Sequence, residues 1–142
     1  MPYQWLQMRI TEENERRQRE AIILERLPLV MDEVHAALED CVNEYAEAFG
    51  KESIDLHYFL HKARLTVKEL KDGKWEKMAK VEVNTSPKPP SLRIDRDGDT
   101  LVIEVGMLPG DKVFYKDGEK FLTMEELTRR ILDRSLFPKL GD

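Results

Sequence analysis

Apolar residues in the first fifty positions recur at steps of three and four: Ile23, Leu27, Val30, Val34, Ala37/Leu38, Cys41, Tyr45 and Ala48/Phe49. That spacing lines them along one face of a helix. Thr11, followed by Glu12 and Glu13, reads as an N-cap with acidic residues facing the positive end of the helix dipole. Gly50, the first glycine of the chain, reads as the stop. The pattern therefore predicts a helix over about 11–49. Pro28 lacks the N–H that would bond Leu24, and a kink is expected there rather than a break, because the apolar stripe keeps its phase across it.

Beyond Gly50 the period changes to two. Ala63, Leu65 and Val67 alternate with polar residues, as do Leu92 and Ile94, then Leu101, Ile103 and Val105; Lys112–Tyr115 leads to a further turn, and Phe121 and Leu122 follow it. Asp72-Gly73, Asp97-Gly98 and Asp117-Gly118 separate such runs, and Asp-Gly supplies the backbone freedom of tight hairpins. Residues 54–60 alternate too, but their phase slips before Ala63, so a bulge at 61–62 or a short helix is expected. Pro87-Lys88-Pro89-Pro90 is expected in a loop or at an edge. Thr123 and Glu126 form a capping-box signature for a short helix over about 124–132. The tail Leu136-Phe137-Pro138 is expected to pack back on the body. At the N-terminus, Leu6, Met8 and Ile10 alternate with Gln7 and Arg9, which admits a short extra strand.

The fold class expected is α+β: a long N-terminal helix packed against an antiparallel sheet of four to five strands, then a short C-terminal helix, within one domain over 1–142. Its two parts are a helical half, 1–50, and a sheet half, 51–142. Length adds a constraint. A helix over 11–49 would span roughly 58 Å, whereas a domain of this size is about 37 Å across. Residues 11–20 contain no apolar side chain and can project into water. In 21–31, however, apolar side chains point nearly all round the axis, which calls for cover from more than one side. A second chain is the expected source, with Ile22, Ile23, Leu27, Val30 and Met31 at the interface.

Composition narrows the functional classes. The 142 residues carry a formal net charge of −5 and a single cysteine. An acidic balance argues against general nucleic-acid or anionic-membrane binding. One cysteine excludes an internal disulfide and suits a reducing cytoplasm. No apolar run is long enough to span a membrane, and the first residues lack a signal-peptide pattern. The negative charge lies in the helical half, and Arg129, Arg130, Arg134 and Lys139 form a basic patch expected to pair with the acidic helix, within the chain or across a dimer.

Candidate chemistry is thin. His57 and His61 on a strand would stand roughly 13 Å apart, too far to share a metal. His35, with Asp32 three before and Glu39 four after, reads as a helix-surface cluster. Cys41 has acidic neighbours, the wrong setting for a reactive thiol. Asp95 to Asp99 lacks the glycine and glutamate of a calcium loop, and Pro87-x-x-Pro90 is a single polyproline-like unit. No catalytic residue, metal or cofactor is assigned. The expectation is a non-enzymatic cytoplasmic interaction module that self-associates through the long helix or binds a partner protein. The alternative is a small apolar-ligand binder with a pocket between sheet and helix lined by His57, Tyr58, Phe59, Trp75 and Phe114.

Overall fold

The computed structural model describes residues 3–141. A 46-residue helix, α1 (Gln4–Phe49), precedes seven strands and a second helix, α2 (Met124–Leu136). The strands are β1 (Ile54–Phe59), β2 (Lys62–Lys71), β3 (Lys74–Pro87), β4 (Pro90–Arg96), β5 (Asp99–Leu108), β6 (Lys112–Asp117) and β7 (Lys120–Leu122). They form one antiparallel meander in chain order. The class is α+β as expected, with seven strands in place of four to five.

The additional strands come from turns that lack the Asp-Gly signature. Between β1 and β2 the turn is Leu60-His61, with φ of 51° and 56°. Two residues at positive φ are what a tight hairpin requires, and neither is glycine. The phase slip at 61–62 is therefore this turn, and the register shift of β2 falls instead at Val67/Lys68. Pro87 and Pro90 face each other as the last pair of the β3–β4 ladder. There the missing N–H groups interrupt nothing, so both prolines close a hairpin.

α1 starts earlier than Thr11. Gln, Leu, Met and Arg between positions 4 and 9 are good helix formers, and the Thr11 hydroxyl donates back to the Gln7 carbonyl rather than capping. Leu6, Met8 and Ile10 are thus helical and pair with no strand. Ion pairs one turn apart join Arg9 to Glu12, and Arg16 to Glu13 and Glu20. The helix runs unbroken through Pro28, which is solvent-exposed. The capping box of α2 forms as expected: the Glu126 N–H donates to the Thr123 hydroxyl, and the Thr123 N–H donates to the Glu126 carboxylate. That helix runs four residues further than anticipated, to Leu136.

One face of the sheet meets both helices. Leu65, Val81, Ile94 and Ile103 point inward from successive strands against Val30, Met31, Val34 and Leu38 of α1 and Leu127 and Ile131 of α2, in one continuous core. The opposite face is polar. On it Glu82 gathers Lys80 at 2.9 Å and Lys62 and Arg64 at 3.2 Å. Lys80 and Lys62 hold the Glu82 carboxyl at about 2. At Gly106 on β5 the Phe114 ring of β6 lies where a β-carbon would stand.

Candidate functional site

The core claims most of the residues expected at an interface. Ile23, Leu27, Val30 and Met31 are buried by the chain's own sheet, and only Ile22 stays partly open. Within 21–31 the sheet buries one stripe, Ile23, Leu27, Val30 and Met31, and does not surround the helix. What remains uncovered is Leu24 and Leu29, the latter 66% exposed.

The residues expected to line a ligand pocket do not converge. Tyr58 points toward α1, while His57 and Phe59, its strand neighbours, are exposed on the other side, as the two-residue period dictates. Trp75 and Phe114 line different clefts. β1 and β6 are five strands apart, roughly 24 Å.

A polar cluster missed by sequence reasoning joins α1 to the β1–β2 turn. The Tyr58 hydroxyl donates to Asp32 at 2.5 Å, and His61 Nδ1 lies 3.3 Å from the same carboxylate oxygen. His35 stacks on the Tyr58 ring, centroids 4.0 Å apart and planes within 8°, and its Nε2 is 3.6 Å from Glu39. The Tyr58 hydrogen bond, with His61 helping, lowers the Asp32 carboxyl below its ordinary value, while burial and that same carboxylate push the phenol up. Both shifts move away from neutrality, the reverse of what an acid–base catalyst needs. The cluster instead fastens a turn whose exposed Leu60 and His61 adopt strained left-handed backbone. We expect Tyr58→Phe to raise the Asp32 pKa toward its ordinary value, followed by carboxyl-carbon NMR titration. A carboxyl held low adds stability that is present above its ordinary pKa and lost as pH falls through the depressed one, so this variant loses that acid-limb dependence.

A large apolar recess sits at the far end of α1. Tyr45 and Phe49, Trp75 of β3, and Phe137 of the tail line a cleft of about 640 Å³. Their rings touch in sequence, Tyr45 to Phe49 at 4.7 Å and Tyr45 to Phe137 at 5.8 Å. A neighbouring groove of about 430 Å³ between α1 and α2 holds Cys41. Burial, then Glu44 and Asp40, pushes that thiol up, so it is a poor nucleophile.

The basic patch is satisfied locally. Arg130 pairs with Asp117, Arg134 with Asp99 at 3.3 Å, Arg129 with Asp133 at 3.5 Å and Lys139 with Glu69 at 3.4 Å. Asp117 and Asp99 at strand ends, Asp133 within α2 and Glu69 of β2, rather than the acidic helix, are its partners. At the other end of the molecule, α1 runs on past the sheet. None of residues 4–22 is buried, and Trp5, Leu6, Met8 and Ile10 are exposed, Trp5 by 65% and Met8 by 60%.

Among the described residues, no cluster of three or more His, Cys, Asp or Glu is placed to hold a metal. None of their helices is long and apolar enough to cross a membrane. Comparison with protein-family models, with curated proteins and with solved structures finds no match to this chain.

Proposed function

We propose that this chain is a non-enzymatic, cytoplasmic protein-interaction module that self-associates through α1. One observation carries the reading. A helix of 46 residues has no buried side chain among its first nineteen and bears four large exposed apolar side chains near its tip. Those side chains contribute nothing to the chain's own core, and leaving them in water forgoes about 1.5–3 kcal/mol for each that a partner could bury. Apolar surface clustered on a projecting element is the usual mark of an interaction site.

The test is the double variant Trp5→Glu/Met8→Glu, with mass measured by light scattering. A multiple of 16.7 kDa is expected for the parent chain, and a smaller assembly with unchanged melting temperature for the variant. A parent that is already monomeric, or a variant with the parent's mass, rejects the reading.

The aromatic cleft supports a second reading, a binder of small apolar molecules, since its volume lies in the range of ligand sites. Of the five residues expected to line such a pocket, Trp75 is the one found there. Native mass spectrometry separates the two readings: extra mass on an otherwise monomeric chain favours the ligand.

A further inference from the structure

Residues seven apart on a helix share a face, and one exposed flank of α1 carries two such lines side by side. The first is Ile22, Leu29 and Ala36. The second is Arg19, Arg26, Glu33 and Asp40, basic toward the N-terminus and acidic toward the C-terminus. None of these eight positions is buried, counting Met8, which stands two heptads before Ile22.

The ion pairs of the helix leave out the second line, as they do Glu15, Glu25, Glu44 and Glu47. Arg9, Arg16 and Arg17 are satisfied within α1 by Glu12, Glu13 and Glu20. Arg19 and Arg26 make no ion pair among the described residues, and neither do Glu33 and Asp40. The basic patch at the C-terminus, which could have met them, is paired elsewhere. Two cations and two anions are left over on one flank, in mirror order about Leu29.

We infer that the occupant of this flank is a second copy of the same chain, its α1 antiparallel and the two-fold axis at Leu29. In that arrangement residue 29 meets its own counterpart, and Ile22 of each copy meets Ala36 of the other. Arg26 of each copy falls beside Glu33 of the other, and Arg19 beside Asp40. Each contact occurs twice, as a closed two-fold interface requires. A parallel pairing would instead carry the charged lines of the two copies to opposite sides of the seam, where Arg26 and Glu33 could not meet. The same geometry brings Met8 and Ile10 of one copy level with Phe49 of the other, at the mouth of the aromatic cleft. The overlapping residues 9–49 span about 62 Å, and a strip about 10 Å wide along them buries roughly 600 Å² per copy, the lower edge of a standard stable interface.

The inference rests on the self-association proposed above and is tested so that the two fail differently. In a Cys41→Ser background, Leu29→Cys is expected to form a disulfide-linked dimer under mild oxidation, whereas Met8→Cys is not. Arg26→Glu should weaken the dimer by at least about tenfold, and adding Glu33→Arg should restore it, because the swap exchanges the two partners. A dimer in which Met8→Cys cross-links as readily as Leu29→Cys is parallel and overturns the inference. A dimer insensitive to Arg26→Glu associates elsewhere, overturning the inference while self-association stands. A monomer at all concentrations, with or without bound small molecule, overturns both.

Discussion

Val30→Asp is expected to abolish folding, while Leu29→Asp, one position earlier, leaves the monomer folded. Val30 is 2% exposed, at the centre of the contact between α1 and the sheet. A carboxylate there loses its hydration and finds no cation, so it must be protonated or drag water into the core. The penalty is several kcal/mol, added to the loss of a buried valine. That is comparable to the 5–15 kcal/mol that holds a typical domain together. Leu29 faces outward, and surface substitutions of its kind usually move stability by no more than about 0.5 kcal/mol. Thermal unfolding followed by circular dichroism separates the two. A cooperative transition in Val30→Asp near the parent's temperature would mean that α1 is not anchored to the sheet as described.

Pro28→Ala should stabilise the chain. A proline inside a helix costs about 3 kcal/mol relative to alanine, because the Leu24 carbonyl loses its donor and the ring crowds the turn before it. Part of this is returned through the unfolded state, which proline makes less disordered by about 0.4–1 kcal/mol. The net gain expected is about 2 kcal/mol, or a melting temperature higher by roughly 5–10 °C. Pro28 is exposed, so the orphaned carbonyl faces water and the helix continues through it. An unchanged melting temperature would mean that solvent already satisfies Leu24 at no net cost.

The elements of the fold were legible where a single local rule decides them. The stripe from Ile23 to Leu38 specifies the buried face of α1, and the Thr123–Glu126 reciprocity specifies the start of α2. The β1–β2 hairpin was hidden because its turn is Leu60-His61, held at positive φ although neither residue is the usual glycine or asparagine. The first two turns of α1, residues 4–10, were hidden by Thr11, which resembles a cap but bonds back to Gln7.

The site was less legible than the fold, for a physical reason. Helical periodicity tells which face of 21–31 is apolar but not whether the chain's own sheet or a second chain covers it. The Asp32, Tyr58 and His61 cluster joins groups 26 and 29 positions apart. Their meeting depends on the strand register and on the tight turn, and neither is a local property of the residues involved.

The order of elements along the chain has a consequence for synthesis. Every strand of the meander pairs with its sequence neighbour, so each hairpin can close as soon as it emerges. α1 cannot be covered so early. Its apolar face is packed in part by β5, which begins at Asp99, while the last buried residue of α1 is Val42. At about 5–20 residues per second the ribosome takes roughly 3–11 s to cross that interval. During those seconds a completed helix bearing Ile23, Leu27, Val30 and Met31 is tethered to the ribosome with part of its core face still wet. Nascent chains stalled just before β5 are therefore the species most in need of a chaperone, and those stalled after α2, which closes the same core, the first able to do without one.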